Sequence, residues 1–157
     1  PSNDLPAASL RLFNVYGPRQ NPNSANAGVI SILIDRIKSG SELMLNGDGE
    51  QSRDFVYVQD VCNAFMMVGA ELLRGNGASD CNNQAFNVCT GVSNSIIHSV
   101  KLIEALVDIT ANITHGPERE GDIRESLGSS EKLRKMVGWR PQTEFERGLE
   151  LTSEWQM

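Results

Sequence analysis

The chain has little of what several classes of protein require. Lysine and arginine together number 14 against 20 aspartates and glutamates, so the formal net charge is −6. An acidic surface of this kind is unsuited to binding nucleic acid or an anionic membrane. No apolar run approaches the roughly 18 residues that a membrane-spanning helix needs. These shortages predict a protein with no nucleic-acid partner and no membrane contact.

Cysteine and histidine are also scarce. The three cysteines, Cys62, Cys81 and Cys89, form an odd set without a Cys-x-x-Cys pair, which is not the spacing of a metal or redox site. Because His98 and His115 are the only histidines, a zinc site is not expected. Free thiols, two of them in patterns that predict burial, indicate a reducing and therefore cytoplasmic compartment. The first residues show no signal segment.

The remaining composition is that of one globular domain. At 157 residues, of which 39% are apolar, the chain is long enough to bury a core. Strands are predicted over residues 10–15, 43–45, 55–58 and 85–89. We expect the first of these strands to be buried and residues 75–83 to form a surface loop. Because segments with helical periodicity separate the strands, the sequence predicts an α/β fold.

The helices are predicted from apolar spacing and from their end signals. The apolar faces are Ile30, Leu33, Ile34 and Ile37; Val61, Phe65, Val68 and Leu72; Ile96, Val100, Ile103 and Val107; and Phe145, Leu149 and Thr152. Asp60 is predicted to be an N-cap, and Thr143 with Glu146 to form a capping box. Trp139 and Trp155 are expected to pack in the core near the last two helices.

Four polar residues could carry chemistry, and each has a plainer explanation. Arg53 follows a glycine-containing turn, predicted to be a hairpin turn, and its guanidinium fork could bind a phosphate. More commonly such an arginine lies at the surface, here paired with Asp54 or Asp60, because arginine is mostly exposed. Arg119 and Asp122 flank a glycine and could hold a diphosphate and a ribose hydroxyl, or form a solvated charged loop. Asn14 ends a strand, where ligand-binding residues are common in α/β sheets, but it could also be a turn former.

Two glycine segments are weaker candidates for phosphate binding. Residues 47–49 precede a strand and lack the helix N-terminus that would bind an anion. Residues 89–91 precede a helix and are better placed, but they carry a single glycine. Neither histidine has a sequence-local partner that would indicate a catalytic base.

Five segments, taken in order, resemble one known family. They are residues 11–20, 45–58, 86–91, 118–124 and 137–141. Together they are similar to the C-terminal half of the extended short-chain dehydrogenase/reductases in the NAD-dependent epimerase/dehydratase family. Within that family the chain looks most like the UDP-glucose and UDP-N-acetylglucosamine 4-epimerases. The resemblance implies strands of a partial Rossmann-type sheet joined to a small substrate-binding α/β subdomain.

The resemblance also implies a UDP-sugar ligand and six residues that would contact it. The six are Asn14 at the phosphate region, Val29 and Asn46 at the uracil, Arg53 and Arg119 at the diphosphate, and Asp122 at the ribose. Two arginine forks would match the negative charges of a diphosphate with charge-assisted hydrogen bonds. In an acidic protein such a site must be a local positive pocket.

The catalytic motifs of that family are not found in these 157 residues. Family members bind NAD through Gly-x-x-Gly-x-x-Gly, and none of the 14 glycines has this spacing. The family's base is a tyrosine four residues before a lysine, but Tyr16 is followed there by Gln20 and Tyr57 by Val61. We therefore expect a single domain over residues 1–157 that lacks the N-terminal NAD-binding half. It would have no cofactor or catalytic residue of its own and would be inactive alone, with NAD belonging to the full-length family.

Two other interpretations stay open. The chain could be a stand-alone module that binds a nucleotide sugar or a protein, or a half-enzyme completed by a partner chain with the Rossmann half. In the family, the strands at residues 10–15 and 85–89 pair inside a larger sheet. Alone they would expose strand edges and apolar surface, which predicts a homo-oligomer.

Overall fold

The chain forms an α/β arrangement in which strands and helices alternate, as predicted. The computed structural model describes residues 5–74 and 79–156. The strands are Ala8–Leu12 (β1), Asn14–Tyr16 (β2), Leu43–Asn46 (β3), Ser52–Arg53 (β4), Phe55–Tyr57 (β5), Gln84–Val88 (β6), Asn94–Ser95 (β7), Ile113–Gly116 (β8) and Glu125–Ser126 (β9). The helices are Val29–Lys38 (α1), Val58–Arg74 (α2), Ile96–Val107 (α3), Glu131–Val137 (α4) and Phe145–Trp155 (α5). Part of the predicted loop at 75–83 lies outside the described residues.

The strands pair mainly in parallel, which is typical of strands joined by helical connections. β1 pairs with β6, β2 with β5 and β3 with β8, all in parallel. β4 lies between antiparallel β7 and parallel β9 in a three-stranded sheet. This small sheet contains Arg53 and therefore positions the candidate site.

The buried strand predicted over residues 10–15 is wrong in two respects. It is interrupted at Phe13, whose backbone N–H donates to the Val88 carbonyl of β6 at 3.1 Å, whereas the N–H of Asn14 donates to the Asp54 carbonyl at 3.2 Å. The first part is also not buried, since Leu12 is 43% exposed. A change of pairing partner leaves no mark on hydrophobic periodicity, so the sequence could not show it.

The turn at residues 46–49 does not close a hairpin. Gly47 and Gly49 have φ values of +64° and +77°, which favour glycine and suit a tight turn. However, β3 pairs with β8, whereas β4 pairs with β7 and β9. The turn therefore carries the chain from one sheet to another.

Two clusters of buried apolar side chains form the core. The first joins the predicted faces of α1, α3 and α5 through Ile30, Leu33, Ile34, Ile37, Ile96, Val100, Ile103 and Leu149. The second joins α2 and α4 to β6 through Val61, Val68, Phe86, Val88 and Leu133. These burials confirm the helical periodicities, because the residues spaced three or four apart face the interior.

Helix α2 differs from the prediction at its start and on one face. It begins two residues before Asp60, which therefore lies inside the first turn and is not the N-cap. The Asp60 carboxylate instead accepts the backbone N–H groups of Gln142 at 3.1 Å and Thr143 at 3.0 Å. Phe65, predicted to be buried, is exposed, and Ala64 is buried in its place.

Helix α5 has no capping box. Its N-cap is Glu144, one residue after the predicted Thr143, and Glu144 makes no side-chain cap hydrogen bond. The Thr143 N–H, which a capping box would give to Glu146, donates to Asp60 instead. Trp139 is buried as predicted, and its indole N–H donates to the Asp60 carbonyl at 3.0 Å. Trp155 is 50% exposed, so the prediction that it packs in the core is wrong.

Two of the three cysteines, Cys81 and Cys89, are buried and Cys62 is exposed, which agrees with the expectation that two thiols are buried. Cys81 lies in the segment predicted to be a surface loop, so the loop prediction is wrong at this residue. Burial, and then the nearby Asp54 carboxylate, raise the pKa of Cys89 to about 11. Within residues 5–74 and 79–156, no three histidine, cysteine or acidic side chains are grouped so that they could hold a metal ion. None of the helices in those ranges has the length and apolar content to cross a membrane.

Self-association stays a prediction, and the fold offers a surface for it. Among the described strands, β1 pairs only with β6, so its other edge is open. Four large apolar side chains of α2 are also exposed: Phe65, Met66, Met67 and Leu73. Open strand edges and exposed apolar residues favour association. We expect light scattering to give a mass of at least a dimer, and a monomer at high protein concentration would contradict this expectation.

Candidate functional site

The candidate site is built around Arg53, in the central strand of the sheet β7–β4–β9. One terminal nitrogen of its guanidinium donates to the Asp122 carboxylate at 2.6 Å. The other donates to the backbone carbonyls of Ser52 at 2.8 Å and Ile123 at 2.6 Å. The Arg53 side chain is 16% exposed and that of Asp122 31%. Two residues 69 positions apart in sequence are thus held in direct contact at a half-buried position.

The pairing of β9 with β4 brings Asp122 to this place. The Ser52 N–H donates to the Arg124 carbonyl at 2.9 Å, and the Asp54 N–H donates to the Ser126 carbonyl at 2.8 Å. Just before β9 the chain turns back at residues 119–122, where the Asp122 N–H donates to the Arg119 carbonyl at 3.0 Å. The loop that carries Arg119 and Asp122 is therefore anchored at the edge of β4.

A cavity of about 130 Å³ lies beside this ion pair. Three of the sequence-predicted residues line it: Asn46, Arg119 and Asp122. Asn46 is the last residue of β3 and is exposed, and Arg119 is exposed as well. The structure thus brings together four of the six predicted residues, namely these three and Arg53, which contacts Asp122.

Asn14 and Val29 lie outside the lining of that cavity. Asn14 begins β2, and its side-chain amide donates to the Asp54 carbonyl at 3.1 Å, which places it beside the residue that follows Arg53. Val29 is the first residue of α1 and packs against the first core cluster. These positions do not show whether any of the six residues contacts a ligand, so their binding roles stay predictions.

A third arginine lies at the cavity and was not singled out from the sequence. Arg124 lines the cavity, and each of its two terminal nitrogens donates a hydrogen bond to the Asp48 carboxylate at 2.8 Å. Hydrogen bonding to this guanidinium holds the pKa of Asp48 well below its usual range. The pair joins the glycine turn after β3 to the loop before β9. Its two residues are 76 positions apart, and no local sequence signal announces such a contact.

The two glycine segments considered for phosphate binding are occupied by the protein's own groups. The N–H groups of Thr90 and Gly91 donate to the Asp54 carboxylate at 2.8 and 2.9 Å. In the other turn, the Gly47 N–H donates to the Gly116 carbonyl at 3.0 Å. The candidate at residues 89–91 is therefore wrong, because an internal carboxylate already fills the position that a phosphate would take.

The chain can be placed among known proteins. The sequence profile of the NAD dependent epimerase/dehydratase family matches residues 1–89, which is more than half of the chain. The chain belongs to this family, and the expectation drawn from the five sequence segments is confirmed. The chain spans less than half the length of the curated relatives it matches.

Individual relatives show the same partial coverage. A UDP-glucose 4-epimerase of Mycolicibacterium smegmatis is 35% identical over 151 residues, which cover 96% of this chain and 45% of that protein. The crystal structure of a Thermotoga maritima UDP-glucose 4-epimerase with UDP-glucose superposes with a TM-score of 0.82 at 35% identity, over 94% of this chain and 44% of that one. The structure of a Methanobrevibacter ruminantium UDP-N-acetylglucosamine 4-epimerase in complex with UDP-N-acetylmuramic acid superposes with a TM-score of 0.84 at 35% identity. The match covers 99% of this chain and 48% of that one.

Proposed function

We propose that this chain is the part of a nucleotide-sugar epimerase-like protein that binds the UDP-sugar. The observation that carries the proposal is the contact between Arg53 and Asp122 beside a cavity lined by Asn46 and Arg119. Two relatives of similar fold are described as complexes with UDP-linked sugars. In this proposal Arg53 and Arg119 bind the diphosphate and Asp122 the ribose, while Asn46 and Val29 contact the uracil. Asn14 lies toward the phosphates.

The charges around the cavity support an anionic ligand. Arg119 and Arg124 line the cavity together with two acidic residues, Glu118 and Asp122, and Arg53 contacts Asp122 from outside the lining, so three arginines lie at or beside the cavity. Asp122 and Asp48 each pair with one of them. Arg119 has no ion pair among the described residues. A diphosphate would therefore meet one unpaired guanidinium and a second held in place by a carboxylate, and charge-assisted hydrogen bonds to both would favour it.

The size of the cavity limits what this chain can enclose. Pockets that surround a drug-sized ligand measure roughly 300–1,000 Å³, whereas this cavity measures about 130 Å³. It can surround a phosphate or a ribose but not a whole UDP-sugar. We infer that the sugar extends out of the cavity, toward groups that these 157 residues do not supply.

The sequence does not fit the family's NAD-dependent chemistry. Full-length relatives of known structure are described as complexes with NAD. This chain has neither the glycine spacing for the cofactor nor a tyrosine four residues before a lysine. We therefore assign it ligand binding and no hydride or proton transfer. In this proposal the 157 residues form one domain that is inactive alone.

Calorimetry tests the proposal. We expect UDP and UDP-glucose to bind the chain, and uridine to bind at least about tenfold more weakly, because it lacks the phosphates that the arginines pair with. We expect NAD to leave the affinity for UDP unchanged. Absence of heat with both UDP and UDP-glucose would contradict nucleotide-sugar binding and favour a protein-binding module. Cooperative binding of NAD and UDP-glucose would contradict the assignment of binding without cofactor.

A further inference from the structure

A single buried carboxylate holds the sheet that carries Arg53. Asp54 is fully buried, and its first carboxylate oxygen accepts the Thr90 N–H at 2.8 Å and the Thr90 hydroxyl at 2.7 Å. Its second oxygen accepts the N–H of Gly91 at 2.9 Å and, less closely, that of Gly128 at 3.3 Å. All four donors are uncharged. Burying a carboxylate without a cationic partner costs free energy unless hydrogen-bond donors surround it. Asp54 therefore needs this set of contacts to stay buried.

The donors lie on both sides of the strand that contains Arg53. Thr90 and Gly91 come shortly before β7, and Gly128 comes two residues after β9. β7 and β9 are the two neighbours of β4. One carboxylate therefore fixes the entry to one neighbouring strand and the exit from the other.

The backbone of Asp54 extends the same function. Its N–H donates to the Ser126 carbonyl of β9 at 2.8 Å. Its carbonyl accepts the backbone and side-chain amides of Asn14 at 3.2 and 3.1 Å. Because successive side chains of an extended segment point to opposite sides, Arg53 reaches Asp122 while Asp54 points into the interior.

We propose that Asp54 is a positioning residue that fixes Arg53 opposite Asp122 and so preorganises the diphosphate site. This inference rests on the proposed function. The carboxylate acts indirectly. It fixes the position of β9, and of the loop before β9, relative to β4. An asparagine has the same shape, but its NH₂ group would face N–H donors where an oxygen is required. Preorganised geometry matters because ligand binding then does not have to order the loop.

The test compares three variants, each at a temperature where circular dichroism shows it to be folded. Asp54→Asn replaces one acceptor oxygen with an NH₂ group. Thr90→Val removes the hydroxyl that donates to Asp54 and that also accepts the Val92 N–H at 3.1 Å. Val68→Ala is the matched control, because it truncates a buried side chain of the second core cluster away from these contacts. We expect UDP affinity to fall about tenfold in Asp54→Asn and about threefold in Thr90→Val, since hydrogen bonds to a charged group are the strong ones. Val68→Ala should bind UDP as the unaltered chain does.

A double-variant cycle separates positioning from general destabilisation. If Asp54 acts through Arg53, the Arg53→Gln change should weaken UDP binding much less in the Asp54→Asn background than in the unaltered chain. Equal losses in both backgrounds would overturn the proposal. If Asp54→Asn does not fold, the same cycle with Thr90→Val decides, and full additivity there is the contradicting result.

A second readout does not depend on the ligand. The paired Arg53 guanidinium should give protected side-chain Nη–H signals by NMR, because both terminal nitrogens donate hydrogen bonds. These signals should be lost in Asp54→Asn and kept in Val68→Ala. If the unaltered chain failed to bind UDP, the proposed function would fail, and these signals would still test the positioning role. Unchanged Arg53 signals in folded Asp54→Asn would overturn it.

Discussion

Replacing Arg53 with glutamine is expected to weaken UDP binding by about 30-fold, since a hydrogen bond to a charged group is worth roughly 1.5–3 kcal/mol. The change removes the guanidinium that contacts Asp122 and the Ile123 carbonyl. It also leaves the Asp122 carboxylate without its cation, so the site becomes more negative where the diphosphate must lie. Both effects act in the same direction. Calorimetric titration with UDP measures the loss directly.

Two further arginine variants make this result specific. Arg53→Lys keeps the charge but loses the fork that binds two acceptors at once, so most of the loss should persist. Arg36→Gln is the matched control, because Arg36 is an exposed residue of α1 and the same unit of charge is removed. An equal loss of affinity in Arg36→Gln would mean that net charge, and not the site, governs binding.

Gly148→Ala is expected to lower the free energy of unfolding by about 2 kcal/mol, the size of a typical overpacking penalty. Gly148 lies in α5, where an added methyl group would overlap the hydroxyl oxygen of Tyr16 and stand 2.8 Å from its ring carbon Cζ. Tyr16 cannot easily move, because it is buried among Phe55, Tyr57 and Phe145. Its hydroxyl also donates to the Phe145 carbonyl at 3.2 Å. Thermal or denaturant unfolding gives the measurement.

The chain offers a control of the same kind. Gly69 lies inside α2, and a methyl group there would meet nothing within 4 Å, so Gly69→Ala should stabilise by up to about 1 kcal/mol through helix propensity. Adding Tyr16→Phe to Gly148→Ala removes the overlapping hydroxyl and should restore part of the lost stability. If Gly148→Ala and Gly69→Ala changed the free energy of unfolding alike, close packing against Tyr16 would not be the reason that Gly148 must be a glycine.

Much of the fold could be predicted because it depends on local periodicity. The helical spacing of Ile30, Leu33 and Ile37 and of Val100 and Ile103 predicted buried faces, and all five side chains are buried. A helix packed on one side must place residues three or four apart against the core. The apolar periodicity of the sequence therefore corresponds directly to the buried face of the helix. The alternation of strands and helices likewise predicted the α/β class.

Several of the incorrect predictions share a cause, which is competition from distant groups. Asp60 looked like an N-cap, but it accepts the N–H of Thr143 from the far end of the chain, and this contact also replaces the expected capping box. The turn at residues 46–49 lies between two strands and was therefore predicted to close a hairpin. In the structure β3 pairs in parallel with β8, and this distant pairing leaves no local signal in the sequence. Such contacts join residues dozens of positions apart.

The candidate site was predicted mainly through family resemblance. Spacing alone gave Arg119 and Asp122 as a charged loop and Arg53 as a surface arginine. Nothing local indicated that Arg53 and Asp122 would meet. Asp54 was noticed only as a possible surface partner of Arg53, and the structure buries it as an acceptor for two separate loops. A buried polar network of this kind can be recognised only when its donors are in place.

The crystal structure of this chain with UDP would test the central claim most directly. The account predicts that phosphate oxygens lie within hydrogen-bond distance of both Arg53 and Arg119, with the ribose at Asp122 and the base toward Asn46. It further predicts that Arg53 keeps its place in β4. UDP bound elsewhere, or at this cavity with its phosphates directed away from both arginines, would contradict the account.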